Sequence, residues 1–398
     1  MRKNSKIHPS PLYILSPGQM MVAGFGFLIL LGAVLLASPI SSANGTSTSF
    51  IDAMFTATSA VCVTGLVVVD TSIHWSIFGK VVIILLIQVG GLGFMTLGTL
   101  VALIFGKKIN LRQRILIKEA LNQDELSGSV KLIKKVLKYT LLIEGLGALL
   151  LSFAFIPQFG LLKGVGYSIF TSISSFCNAG FDLMGRVSGE YSSIVSYYNR
   201  PLIVFTISAL IILGGIGFPV IINVVNKRNF KKLNLNSKLV LVTTAILIAG
   251  GFLMIFLGEM GHALHGMSLW EKFQVAFFQS VTTRTAGYAT IDLTQFREST
   301  LFVMMILMFI GASPASTGGG IKTTTAAILF IAVKSFIKNE NEITVQHKRI
   351  NVFTFRKALG IFIIAITIAV LGVYLLSISQ DPKHFDILSY SFEVSSAL

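Results

Sequence analysis

The chain has 398 residues, 53% apolar and only 12% charged, with 32 Lys+Arg against 17 Asp+Glu and a formal net charge of +15. A water-soluble domain carries about 25% charge, so the composition excludes a soluble enzyme or a soluble nucleic-acid-binding module and points to several membrane spans. Two cysteines, Cys62 and Cys177, are too few for a disulfide framework or a cysteine metal cluster.

In chain order, residues 1–16 are polar and basic, with Arg2, Lys3 and Lys6. A full-length apolar run follows, so the start reads as a cytoplasmic N-terminus and not as a cleavable signal peptide. Three apolar runs come next, at 17–40, 50–69 and 76–105, before the basic linker 106–131. Twenty-three of the 32 basic residues fall in four polar segments: the start, Lys107 to Lys138, Lys227 to Lys238, and Lys334 to Lys357. This is the charge bias of cytoplasmic loops. It needs no nucleic-acid partner.

Between two cytoplasmic segments a chain crosses the membrane an even number of times. Three runs therefore require one that enters and returns on the same side. The middle run, "FIDAMFTATSAVCVTGLVVVD" (50–70), is the candidate, because its helical part, 51–61, is half a span long. Irregular backbone at membrane depth is tolerated only against protein or a water-filled path.

The same unit recurs. Unit 1 is 17–105. Unit 2, 132–226, holds an outgoing helix at 132–157, a short helix at 165–177 and a return helix at 201–226. After a basic linker at 227–237, unit 3 spans 238–334, with helices at 238–258, 271–283 and 299–334. A linker at 335–351 leads to a partial unit 4, 352–398, with helices at 352–379 and 385–397. Phe55, Phe170, Phe277 and Phe392 are in register, and the first three precede Gly65, Gly180 and Gly287 by ten residues. The expected fold is an all-α polytopic membrane protein. Four pseudo-repeated helix–short helix–helix units surround a central ion path. By this register the fourth Gly falls at position 402, so the natural protein is expected to continue for about 45–50 residues, the length of one loop, one span and a tail.

Each Gly lies in a short loop behind a half-length helix: "CVTGL" (62–66), "CNAGF" (177–181) and "RTAGY" (284–288). Gly permits backbone conformations that a Cβ disfavours, and such loops can replace an ion's hydration shell with carbonyls. The expected cation ligands are the backbone carbonyls of Val63, Thr64, Gly65, Asn178, Ala179, Gly180, Thr285, Ala286 and Gly287. The run 299–334 is too long for one span and too short for two. Its middle, "GASPASTGGGIKTTT" (311–325), breaks a helix with Gly311, Pro314, Gly318, Gly319 and Gly320. Lys322 is its one charge. This irregular loop is expected to obstruct the path as a gate, built from those glycines and Lys322; snorkelling of Lys322 toward the cytoplasm is the plainer alternative. "GGLGF" (90–94) and "GGIGF" (214–218) in the return helices read as close-packing motifs.

Other residues carry less. Asp70, Asp182 and Asp292 follow the glycines and serve either as cation-attracting groups or as helix caps and partners of Arg186 or Arg297. Arg284 is expected to point away from the path toward an acid. Glu144, inside a span, requires a partner. His262 and His265 alone make no metal site.

These loops and the Gly-rich gate resemble the membrane subunits of the Ktr/Trk/HKT superfamily of potassium transporters, and within it the bacterial KtrB type. The resemblance covers nearly the whole chain. It implies potassium uptake across the bacterial plasma membrane, often sodium-dependent, with potassium as substrate, no covalent cofactor and no enzymatic activity. It also implies a homodimer on a cytosolic KtrA-type ring that binds the nucleotides. The alternative is a secondary carrier for another small solute with a midplane binding site; the parallel units, all beginning and ending inside, count against it.

Overall fold

The computed structural model describes residues 17–93, 129–340, 342–345, 348–380 and 386–398. The N-terminal segment 1–16, the end of the 76–105 run and nearly all of the linker 106–131 lie outside them.

Four helices are long and apolar enough to cross a bilayer: α1 (Pro17–Ala37), α4 (Ser129–Phe159), α8 (Leu235–Glu259) and α12 (Val352–Ser379). Between them lie α2 (Phe50–Cys62), α3 (Ile77–Leu92), α5 (Leu161–Phe176), α6 (Pro201–Gly215), α7 (Phe218–Lys227), α9 (Leu269–Thr282), α10 (Glu298–Phe309) and α11 (Thr323–Ile337), and α13 (Ile387–Ala397) follows α12. Strands Thr344–Val345 and Lys348–Arg349 form a small antiparallel pair.

The helices α2, α5 and α9 have 13, 16 and 14 residues. At about 1.5 Å per residue they fall short of the roughly 30 Å hydrocarbon core. Each is buried by its neighbours instead. Ala53, Ala57 and Ala60 of α2 are fully buried against Ala33 and Leu36 of α1 and Ile83 and Ile87 of α3. The small residues let three backbones approach closely where lipid supplies no hydrophobic force between helices. Likewise α5 lies between α4 and α6, and α9 packs against α8 and α6. The long helices turn apolar residues such as Leu146, Leu253 and Val370 outward, as lipid-facing surfaces must.

Glu144 finds its partner across units: Gln88 Nε2 on α3 donates to Glu144 Oε1 at 3.0 Å. Glu259 is fully buried at the end of α8. It accepts from Arg297 N (3.0 Å), Ala263 N (3.3 Å) and the Thr300 hydroxyl, and so holds the start of α10.

One expected element differs. The return helix of unit 2, read from sequence as continuous over 201–226, is two helices, α6 and α7, bent by 98° at Gly215–Phe218. Gly217 takes φ +89°, which ends α6, and Pro219 supplies no N–H to Gly215.

Candidate functional site

The three Gly loops follow the C-terminal ends of α2, α5 and α9, the electronegative ends of those helices. Their backbones are alike. Gly65, Gly180 and Gly287 have φ of +79°, +72° and +80°. Two residues earlier, Val63, Asn178 and Thr285 are also left-handed, at +61°, +57° and +78°, while Thr64, Ala179 and Ala286 between them are not. Each loop thus repeats one alternation of left-handed and ordinary backbone, and the three share one backbone shape.

The loops touch. A Cβ on Gly65 would fall 2.6 Å from the Ala179 carbonyl oxygen, and one on Gly180 would strike the Ala286 carbonyl oxygen. Loop one thus abuts loop two, and loop two abuts loop three, through backbone. A Cβ on Gly287 would meet no described residue within 4 Å.

Hydroxyls on the short helices brace the loops from behind. Ser174 Oγ donates to Phe181 O (2.7 Å), Thr282 Oγ1 to Tyr288 O (2.8 Å), and Thr64 Oγ1 to Ser59 Oγ (2.9 Å). The Tyr288 hydroxyl crosses to Phe181 O at 3.0 Å, tying loop three to loop two. With its amide nitrogen as donor, Asn178 reaches Ile211 O at 3.2 Å. Tyr288 carries no such signal in the sequence, because nothing in a lone Tyr announces a cross-loop bond.

Cavities lie on both sides of the loops. One of about 110 Å³ is lined by all three glycines, Asp70 and Asp182. On the opposite side a cavity of about 450 Å³ is lined by Cys62, Val63, Gly90 to Gly93, Ala315 to Gly319 and Lys322. The segment 311–322, between α10 and α11, intrudes there. A Cβ on Gly318 would strike Thr285 Oγ1 and lie 3.0 Å from the Asn178 amide, so the segment sits directly under loops two and three. Ala312 N bonds Gly319 O (3.1 Å) and closes its base. Ser313 N bonds Gly215 O (2.9 Å), Thr317 N bonds Gly214 O (3.2 Å), and Phe218 N bonds Ala315 O (2.9 Å). Lys322 Nζ turns back to Gly318 O (2.8 Å) and Gly319 O (3.3 Å). It is spent on this loop and does not extend away from it.

The charged candidates sort cleanly. Asp70 is a cap, accepting from Ser72 N, Ile73 N and Tyr191 N. Asp292 caps a turn through Thr294 and does not line the cavity. Asp182 does line it and accepts from Met184 N at 2.8 Å. Desolvation pushes its carboxyl up to about 6, against the Met184 N–H, and the charge of Asp70 adds to the rise. Arg284 is 4% exposed, but no acid meets it among the described residues; its Nη2 lies 3.5 Å from Gly311 O, at the start of the irregular segment. His262 pairs with Glu259, and no metal-ligating cluster occurs among the described residues.

Known proteins resemble this arrangement along most of its length. The chain is 43% identical over 385 residues to the potassium/sodium uptake protein NtpJ of Enterococcus hirae, covering 96% of this chain and 84% of that protein. It is 39% identical to the Ktr system potassium uptake protein B of Bacillus subtilis, covering 95% and 83%. The potassium transporter TrkH of Vibrio parahaemolyticus, at 18% identity, shares the fold with a TM-score of 0.71 over 99% of this chain and 77% of that one. The family pattern for TrkH, a cation transport protein, matches residues 13–398. The chain belongs to the TrkH family of cation transport proteins, within its Ktr/Trk potassium and sodium uptake transporters, and is a membrane transporter and not an enzyme.

Proposed function

We propose that this chain carries potassium into the cell through a carbonyl-lined filter formed by its Gly loops. The observation that supports this most is the backbone-to-backbone contact of Gly65 with Ala179 and of Gly180 with Ala286. Loops packed this tightly hold carbonyls at fixed spacing, and cation discrimination depends on the number and geometry of such dipoles. The ligands are the carbonyls of Val63, Thr64, Gly65, Asn178, Ala179, Gly180, Thr285, Ala286 and Gly287. The segment carrying Gly311, Gly318, Gly319, Gly320 and Lys322 is the gate; its support is that the segment lies against loops two and three and lines the larger cavity beneath them. That cavity faces the cytoplasm in this reading, as does the N-terminus, in keeping with the basic segments.

The transporter works as a homodimer on a cytosolic nucleotide-binding ring, contacted through its basic linkers. Sodium serves as a second cation; the name of the Enterococcus relative pairs the two ions. The test is ion flux into vesicles containing the complete protein, with potassium and sodium compared at equal gradients. Flux that favours potassium supports the filter. Equal flux of both, or saturable transport of an unrelated solute, would overturn it.

A further inference from the structure

The bend between α6 and α7 and the proposed gate share their hydrogen bonds. In an uninterrupted helix the N–H of Phe218 would donate to the C=O of Gly214, four residues earlier. Here both groups are diverted to the loop. Phe218 N donates to Ala315 O at 2.9 Å, and Gly214 O accepts from Thr317 N at 3.2 Å. The loop has inserted itself into one helical hydrogen bond, supplying an acceptor to one half and a donor to the other. The next carbonyl, Gly215 O, could find no helical donor in any case, because its partner would be Pro219. Ser313 N takes that place at 2.9 Å.

Shape agrees with this exchange. A Cβ on Gly217 would fall 2.5 Å from Pro314 O, so the loop rests on the bare backbone of the bend. Thr317 Oγ1 also donates to Phe176 O at 2.8 Å, fastening the loop to the end of α5 beneath the filter. Proline kinks a helix without turning it through a right angle. At the 98° bend Pro219 and the left-handed Gly217 meet the inserted loop.

We propose that the gate loop is a wedge, and that the Gly214–Phe218 bend is its seat and the second moving part of the gate. When the loop withdraws, Phe218 N and Gly214 O are left unpaired at membrane depth, where an unsatisfied backbone group is costly. They are each other's natural partners. Their pairing joins α6 and α7 into one kinked helix. The far end of α7, about 15 Å away at ten residues, then moves by on the order of 10 Å. That end carries Lys227, Arg228, Lys231 and Lys232. A cytosolic partner holding this basic segment would therefore set the position of the loop, and the loop would set the position of the segment. This inference rests on the gate reading above and adds a second moving part to it.

The experiment measures α7 directly. Spin labels are placed at Leu202→Cys, at the exposed start of α6, and Val225→Cys, on the exposed face of α7, with Cys62→Ser; Cys177 is fully buried. Label separation and potassium flux are read in parallel in the complete protein, with and without residues 313–320. The wedge predicts a separation longer by on the order of 10 Å without the loop, together with raised flux. Gly217→Ala is the second variant, should the deletion not fold. Its side chain displaces Pro314 and disfavours the left-handed turn, so it should lengthen the distance and raise flux as well. Raised flux at an unchanged separation would overturn the wedge and leave the gate standing. A longer separation with unchanged flux would keep the wedge and remove the gating role. An unchanged separation in both variants would overturn the inference outright.

Discussion

At Gly65 and Gly180 a side chain would have to occupy space already held by a neighbouring loop's carbonyl. Gly65→Ser adds a hydroxymethyl 2.6 Å from Ala179 O and strains a backbone at φ +79°. The carbonyls of loop two must shift. Potassium-over-sodium preference should fall by about tenfold, equal to about 1.4 kcal/mol of discrimination, in paired flux measurements. An unchanged ratio would remove Gly65 from the filter. Asp182 should make uptake depend on external pH. Its carboxyl titrates near 6, above the ordinary carboxylate range, so it is largely charged at pH 7.5 and largely neutral at pH 5. Losing that charge at the mouth lowers the local cation concentration, and uptake at low potassium should drop as pH falls through 6. Asp182→Asn should show the lower uptake at both pH values and lose this step in the profile. These residues were unequally legible. The glycines stood out because three loops repeat one spacing. That Asp70 and Asp292 are caps while Asp182 lines the cavity depends on which backbone N–H each carboxyl meets, and spacing does not encode it.

Among the elements, the short helices were legible because half a span of apolar sequence cannot cross a bilayer. The α6–α7 bend was not. "GGIGF" reads as a packing motif, and it does pack, since a Cβ on Gly214 would strike Phe176 O. Gly217 and Pro219 interrupt the helix locally, but the partners of its diverted hydrogen bonds lie about a hundred residues away, in the Ser313–Thr317 stretch. The junction of α8 and α10 is governed by Glu259. Glu259→Ala would leave the Arg297 and Ala263 N–H groups and the Thr300 hydroxyl without their acceptor. At about 1 kcal/mol for each hydrogen bond lost, the cost is roughly 3 kcal/mol, and the melting midpoint in detergent should fall. Glu259→Gln, which keeps an acceptor oxygen, should fall less. Equal midpoints for wild type and Glu259→Ala would show that the buried carboxylate contributes nothing net.

For the molecule as a whole, membrane class and family were plain from composition, loop charge and the three loops. The contact order of the loops was not, because it depends on how units meet in space. If those loops form one ion site, potassium must bind the folded state more tightly than the unfolded one, and binding then raises stability by linkage. Replacing choline chloride by potassium chloride at equal ionic strength should raise the melting midpoint. A potassium concentration 100 times the dissociation constant corresponds to about 2.7 kcal/mol. The rise should shrink in Gly65→Ser. Equal midpoints in the two salts would mean that the folded protein has no potassium site.

Because the three touching loops belong to a single polypeptide, they need not be copies: the positions before their glycines are Thr64, Ala179 and Ala286. A channel assembled from identical subunits must accept every mutation on all sides at once. This protein can revise one wall and leave the others untouched. If these loops set ion preference, it is open to small inherited steps, and a set of single-loop variants should form a graded series between potassium-preferring and indifferent transport.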